Sequence, residues 1–248
     1  MMKKLPRHST DETVDTLFQG RLALIQNKRG YRFSLDAVLL ALFVKIRDGE
    51  RIIDLGTGNG VIPLILASLY SSVSVVGIEV QEAMVQRALR SVAWNELRRS
   101  VEIIQGDVCS IGELFSPRSF DIVVCNPPYR GFTSGRMNPD PERRVARHEV
   151  KGSLRDFLRA AFYLLRHRGR IALIYPARRA LDLLQVMREE GVEPKRLRWV
   201  YSFKETEAAL LLAEGAKGAR SELLVLPPLV VYERAGTYTA EVKAMLGG

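Results

Sequence analysis

Cysteine is scarce in this chain. Only Cys109 and Cys125 occur, and neither belongs to a Cys-x-x-Cys pair. That excludes a disulfide framework and a cysteine-based zinc site, and nothing in the spacing suggests any other metal. Both thiols are expected to pack in the core, where free cysteine is most often found. Long apolar runs are also missing: the longest, Ala37 to Val44, is far too short to span a bilayer. Residues 1 to 12 are basic and polar with no apolar stretch, so they do not read as a signal peptide. No internal repeat and no low-complexity tract interrupts the chain. These absences imply a soluble, cytoplasmic protein with no membrane partner and no metal.

What is present suits one large α/β domain. The 248 residues are 47% hydrophobic and 26% charged, enough apolar material for a well-filled core but not for two. The expected organisation is a poorly ordered segment 1–20, a single domain 21–233 and a tail 234–248. The formal net charge of +9 favours a polyanionic partner. Its distribution says more than its size. Arg130, Arg136, Arg143, Arg144, Arg147 and Lys151 crowd one polar stretch with His148, only partly diluted by Asp140, Glu142 and Glu149. Residues 130–152 lack any periodicity and contain Gly131, Gly135, Pro139 and Pro141. A loop that long in a compact domain is usually functional or disordered, and its charge favours the reading of a substrate loop for nucleic acid.

Apolar runs of strand length alternate with segments of helical period, the pattern of a mostly parallel sheet. Strands are expected at Arg51–Leu55, Val73–Glu79, Val101–Asp107, Phe120–Cys125 and Arg170–Tyr175. Helices are expected at Val61–Leu69, Gln81–Leu97, Ser153–His167 and Ala177–Glu190, with Ser153-x-x-Asp156 as an N-cap signal. Arg196–Phe203, Ala209–Glu214 and Glu222–Glu233 follow without long helices between them, as at an antiparallel edge. Before the first strand, Arg21–Gln26 and Tyr31–Phe33 flank Asn27-Lys28-Arg29-Gly30 as a hairpin, and Ser34 is placed to cap the helix Leu35–Ile46.

Asp54-Leu55-Gly56-Thr57-Gly58-Asn59-Gly60 joins the first of these strands to its helix. Glycines there let the backbone turn sharply and approach a ligand closely. No Gly-Lys-Ser/Thr follows, and the dinucleotide spacing is not met. Glu79 ends the next strand, where an acid can accept hydrogen bonds from both hydroxyls of a ribose, and Asp107 ends the one after. Three acids at successive strand ends beside a glycine turn describe a crevice for an adenosine with a cationic tail. S-adenosylmethionine fits, with Asp54 toward its positive end, Glu79 on the ribose and Asp107 on the adenine amine. Gly56, Thr57, Gly58, Gly60, Val80 and Val108 complete the cofactor-contacting set.

Asn126-Pro127-Pro128-Tyr129 lies directly behind the apolar run Phe120–Cys125. The prolines fix φ and hold Asn126 extended, so its amide oxygen and the Pro127 carbonyl can accept both hydrogens of one planar amino group. Tyr129 offers a flat face for stacking. Taken alone, this geometry suits adenine, guanine, cytosine or glutamine equally.

With these two motifs in hand, residues 20 to 232 resemble the Rossmann-like S-adenosylmethionine-dependent methyltransferases that modify planar amino groups. The resemblance implies a mostly parallel seven-stranded sheet with an antiparallel edge and an N-terminal hairpin-helix. The order of Phe33-Ser34-Leu35-Asp36-Ala37, glycine loop and Asn-Pro-Pro-Tyr is similar to that of the bacterial tRNA adenine-N6 methyltransferases acting next to the valine anticodon. That likeness implies that Phe33, Asp36 and Asn126 also line the cofactor pocket, and that the substrate is a tRNA or another structured RNA. The segments Gln26–Asp36, Ala146–Glu149, Glu214–Gly218 and Leu226–Leu229 also look like family segments. The competing readings are guanine-N2 methylation of ribosomal RNA, methylation of a protein glutamine, and a non-enzymatic module that binds cofactor and RNA.

Overall fold

A computed structural model describes residues 9–29, 34–129 and 152–247. Two antiparallel strands, β1 (Glu12–Leu17) and β2 (Leu22–Asn27), come first. Helix α1 (Leu35–Phe43) leads to a run of strand-helix units: β3 (Arg51–Leu55), α2 (Val61–Leu69), β4 (Ser74–Glu79), α3 (Glu82–Trp94) and β5 (Val101–Gln105). The short α4 (Ile111–Leu114) precedes β6 (Phe120–Cys125); α5 (Leu154–Leu164), β7 (Leu165–Pro176), α6 (Ala180–Glu189), β8 (Val192–Tyr201) and β9 (Ala208–Lys217) follow. The chain closes with β10 (Leu224–Val225), β11 (Leu229–Val230), β12 (Tyr232–Arg234), β13 (Thr237–Tyr238) and α7 (Ala240–Met245).

The central sheet runs in the order β10-β8-β9-β7-β6-β3-β4-β5, with β11 also pairing with β8. Its seven long strands, β3 to β9, match the expected count. β3, β4, β5, β6 and β7 are mutually parallel, and β9 is antiparallel to both β7 and β8. The antiparallel strand therefore sits two places in from the edge, because the short β10 and β11 pair with β8 in parallel. Both faces are covered, as the near-continuous apolar strands require. On one face α1, α2 and α3 bury Leu40, Ile65, Leu66 and Ala88 against Ile52, Val75 and Val124; on the other α5 and α6 bury Leu158, Leu164 and Leu183 against Ile53, Val123 and Leu173. Strand order reverses between β3 and β6, so the crevice beyond their carboxyl ends is where an open α/β sheet receives a ligand.

Four local expectations are corrected. The hairpin lies one strand earlier than the turn residues suggested. Its reversal is at 18–21, where Phe18, Gln19 and Gly20 adopt φ of 50°, 57° and 84°. Residues 12–17 thus join the fold instead of a poorly ordered terminus, because they pair antiparallel along all of β2. Gly30 to Phe33, where the second expected strand fell, lie outside the described residues. Ser34 makes no side-chain capping bond at α1. By contrast, Ser153 and Asp156 form a full capping box at α5, with the Ser153 amide donating to Asp156 Oδ2 at 2.7 Å. Cys125 is buried as expected, but Cys109 is exposed in the turn after β5.

The hairpin is fastened to α3 by polar contacts. Arg90 forks onto the Glu12 carboxylate, with Nη1 to Oε2 at 2.8 Å, and the Arg87 guanidinium stands 3.7 Å from Oε1. The Ser91 hydroxyl and the Asn95 amide take up the Ile25 and Ala23 amides of β2, each at 3.0 Å. The Arg90 hydrogen bonds hold the Glu12 carboxyl at about 2, against burial, which works the other way. The Glu12 contribution is fully present above the unfolded carboxyl value of 4.5 and is lost as pH falls through about 2. Glu12→Gln is expected to lower unfolding free energy by about 2–3 kcal/mol at neutral pH, a shift of two and a half pH units discounted for residual exposure. Urea unfolding of both proteins, repeated down to acid pH, measures it; the gap should close between 4.5 and 2.

Candidate active site

At the carboxyl end of β3, Asp54 is 1% exposed. Neither of its carboxylate oxygens has a hydrogen-bond partner of normal geometry. Burial pushes its carboxyl up to about 7; the Thr57 hydroxyl offsets part of this and the nearby Glu79 adds to it. The following turn is pinned to β4 by Gly56 and Thr57 amides donating to the Ile78 carbonyl at 2.9 and 2.8 Å. Gly56, Gly58 and Gly60 all take positive φ, and a Cβ on Gly60 would stand 3.1 Å from that of Ala88. All three positions need glycine for conformation, and Gly60 needs it for packing as well.

Glu79, 6% exposed, is turned onto the backbone: Oε2 accepts from the Gly58 amide at 2.9 Å and Oε1 from the Gln81 amide at 3.0 Å. Burial raises its carboxyl in spite of these bonds. It therefore shapes the glycine turn, with one further lone pair on each oxygen for a ligand hydroxyl. Asp107 Oδ1 accepts from the Cys109 amide at 2.9 Å and caps the single turn Val108–Ser110. Val108 is buried and Val80 is partly exposed.

A cleft of about 40 Å³ brings together Ala37, Asp54, Gly56, Thr57, Gly58 and Asn126, among others. The two motifs read from sequence thus meet across the β3/β6 switch point. Glu79 and Asp107 stand farther along the same edge, at the ends of β4 and after β5. Pro127 is buried and Pro128 half-buried. The Tyr129 hydroxyl lies 2.9 Å from the Asn126 side-chain amide and 3.0 Å from Asp36 Oδ2. Asp36, expected beside the cofactor, is therefore engaged with the Asn-Pro-Pro-Tyr loop. Phe33, Arg130, Arg136, Arg143, Arg144, Arg147 and His148 lie outside the described residues.

Sequence reasoning missed two residues that hold this loop. Arg179 Nη1 donates to the Tyr129 carbonyl at 3.1 Å, its Nε to Asp182 at 3.1 Å, and its guanidinium lies 5.2 Å from the centre of the Tyr175 ring. Tyr175, buried at the end of β7, meets Tyr129 edge to face with centroids 5.9 Å apart. An apolar run ending in Tyr-Pro signals a strand end, but nothing in it points to a loop 50 residues away. Arg179→Ala is expected to lower kcat about tenfold, the equivalent of one charge-assisted hydrogen bond, with KM for the methyl donor unchanged. Steady-state kinetics with each substrate varied in turn checks this.

Gly77 was overlooked as well: a Cβ there would fall 2.9 Å from Thr57 Cγ2, so β4 needs a glycine for the loop to seat. Among the described residues, no group of three or more His, Cys, Asp or Glu is placed to hold a metal. None of the described helices is long and apolar enough to cross a membrane.

Seven long strands in this order, a glycine turn over an orphaned acid and an amide-bearing proline loop together define a Rossmann-like methyltransferase. The profile of the family described as "Methyltransferase domain" matches residues 46–209. A tRNA1(Val) (adenine(37)-N6)-methyltransferase of Parabacteroides distasonis is 30% identical over 190 residues, covering 76% of this chain and 78% of that protein. A protein of the same name from Porphyromonas gingivalis is 31% identical over 196 residues, 77% and 76% of the two chains. The crystal structure of a predicted O-methyltransferase from Agrobacterium tumefaciens superposes with a TM-score of 0.69 at 21% identity, covering 85% of this chain and 94% of that one, which shows a shared fold. The chain belongs to the methyltransferase-domain family and, within it, to the tRNA1(Val) (adenine(37)-N6)-methyltransferases.

It is an enzyme whose methyl donor is S-adenosylmethionine. The residues present fit that donor. A carboxylate buried with both oxygens unpartnered calls for a cation, and the α-ammonium of the donor is one. The positive-φ glycines beside it leave the backbone bare for close approach.

Proposed function

We propose that this protein methylates the exocyclic N6 of an adenosine in tRNA, the nucleotide 3′ of the anticodon, as the names of its relatives say of them. The observation that carries the reading is the meeting of Asn126 and Asp54 in one cleft. It sets an acceptor for an amine next to a seat for the methyl donor.

The donor, when bound, supplies an electrophilic methyl on a sulfonium. The rest of the work falls to the chain. An adenine amine is a weak nucleophile because its lone pair is delocalised into the ring. Asn126 and the Pro127 carbonyl each accept one N–H, which favours a pyramidal nitrogen with its lone pair aimed for in-line displacement. Their dipoles, fixed before reaction, stabilise the positive charge that develops on that nitrogen. The step depends on alignment more than on a base, and the surplus proton can leave to water. Pro128 keeps the loop stiff, and the Tyr129 ring faces the target base, splayed from an unpaired loop at less cost than from a duplex.

Asp54 takes the donor's ammonium, Glu79 its ribose through the lone pairs left on each oxygen, and Asp107 its adenine amine. Gly56, Thr57, Gly58, Gly60, Val80, Val108, Phe33 and Asp36 surround it. Arg130, Arg136, Arg143, Arg144, Arg147 and His148 take the RNA, the arginines by its phosphates. The protein is placed in the cytoplasm with its RNA, and residues 130–152 are taken as the substrate loop of its domain. Glutamine methylation would make little use of that arginine-rich segment.

The test uses tritium-labelled donor with total tRNA from a strain lacking the modification, followed by nucleoside mapping. Label in N6-methyladenosine of a valine tRNA is the expected result. Label in guanosine, in protein or in no product sinks the adenosine reading.

A further inference from the structure

We infer that Asp36, acting through the Tyr129 hydroxyl, sets which way the Asn126 amide faces, and so is a positioning residue for methyl transfer. This rests on the reading that the Asn126 oxygen accepts a hydrogen of the target amine. It follows from counting protons. The Tyr129 hydroxyl lies close to two polar side chains of the described residues, Asp36 Oδ2 at 3.0 Å and the Asn126 amide at 2.9 Å. A phenol has one proton to give. The Asp36 carboxylate can only accept, and as a charged acceptor it is the stronger claimant for that proton. If the Asn126 atom facing Tyr129 were also an acceptor, two oxygens would oppose each other at 2.9 Å with no hydrogen between them.

Amide oxygen and nitrogen have nearly the same shape, and their assignment follows the hydrogen-bond network. Turning the amide by 180° makes every contact favourable: Asn126 Nδ2 donates to the Tyr129 hydroxyl oxygen, and the hydroxyl donates to Asp36. The Asn126 oxygen then faces away from Tyr129 and is kept for the substrate. The same chain of bonds fixes the Tyr129 ring at its tip while Tyr175 meets it edge to face, so its plane is set before a base arrives. Asp36 lies in the first turn of α1, 90 residues before Asn126, and Ala37 beside it lines the cleft. One hydrogen bond therefore ties α1 to the loop that follows β6, and a second carries that tie on to Asn126.

Tyr129→Phe keeps the ring and cuts the relay, and Asp36→Ala removes its anchor. Each should lower kcat about tenfold with KM for tRNA little changed, since stacking remains, and in Tyr129→Phe, which touches no residue assigned to the donor, KM for the donor should also hold. The double variant should lose about as much as either single one, because both break the same chain. Asp36→Asn, whose amide oxygen still accepts from the hydroxyl, should recover most of the wild-type kcat. Thermal unfolding of every variant shows whether the fold is retained, and the Asp36→Asn rescue keeps the test open if Asp36→Ala does not fold. A Tyr129→Phe enzyme with wild-type kcat, single losses that multiply, or no recovery in Asp36→Asn would overturn the relay. Asn126→Ala, run alongside, separates the two ideas. If it turns over normally, the amine-acceptor reading itself fails. If it is inactive while Tyr129→Phe is unimpaired, only the relay fails.

Discussion

Asn126→Ala is expected to lower kcat by about 10²–10³-fold while leaving the affinity for the methyl donor nearly intact, the scale seen when one preplaced polar group is removed from a transition state. The size follows from where the charge appears. In the ground state the amine is neutral and planar, and its bond to Asn126 is an ordinary one. As the carbon–nitrogen bond forms, the nitrogen becomes cationic and the same bond becomes charge-assisted, so most of its worth is realised at the barrier. Alanine also deletes one partner of the Tyr129 hydroxyl, at 2.9 Å, leaving the ring held by Asp36 and Tyr175. The residues proposed to hold the donor's ammonium and ribose stand on other strands: Asp54 is in β3, the glycine turn follows it, and Glu79 ends β4. Single-turnover rates with saturating tRNA, beside calorimetric titration with S-adenosylhomocysteine, give the two quantities separately. A parallel loss of both would mean that Asn126 supports the donor and not the amine.

How much of this was readable beforehand depended on the range of the interactions. The β3 turn was legible because its constraint is local: positive φ at Gly56, Gly58 and Gly60 has a direct residue signature. The capping box at Ser153 was legible for the same reason. The register of the hairpin was not, since Asn27-Lys28-Arg29-Gly30 is as good a turn on paper as 18–21, where Phe18 and Gln19 adopt left-handed conformations that few sequences announce. What settles the matter is Glu12 reaching Arg90, a contact across 78 positions. The site divides along the same line. Asp54 and Asn126 were found from motif, but Asp36, Tyr175 and Arg179 gather round Tyr129 only because α1, β7 and the turn after it converge on the end of β6. Glu79 was given a ribose to hold, and its two bonds to the Gly58 and Gln81 amides show that it also shapes the loop.

Asp54→Asn should abolish a loss of stability with rising pH and make the protein a much poorer binder of its donor. A carboxyl pushed by burial from 3.8 to about 7 opposes folding once it ionises. The sign follows from linkage. The unfolded chain releases this proton near 3.8 and the folded chain near 7, so Asp54 favours the folded state below the first value and loses that favour as pH rises through the second. The wild type should therefore shed about 2–4 kcal/mol of stability between these limits, and the asparagine variant should not. An asparagine leaves its own buried amide to satisfy, which costs about 1–3 kcal/mol at any pH, so the pH slope is a cleaner readout than the absolute difference. Binding runs the other way. The donor's ammonium selects the ionised carboxylate, so wild-type affinity should fall about tenfold for each pH unit below 7 and level off above it. The variant, with no charge to offer, should bind about 10²-fold more weakly at pH 8 and show no such slope, the usual cost of leaving one partner of a buried pair alone. Thermal unfolding and donor titration across pH 5 to 9 read both effects in one series. A flat wild-type binding curve would show that the ammonium is held elsewhere, and the two unpartnered oxygens of Asp54 would then need another occupant.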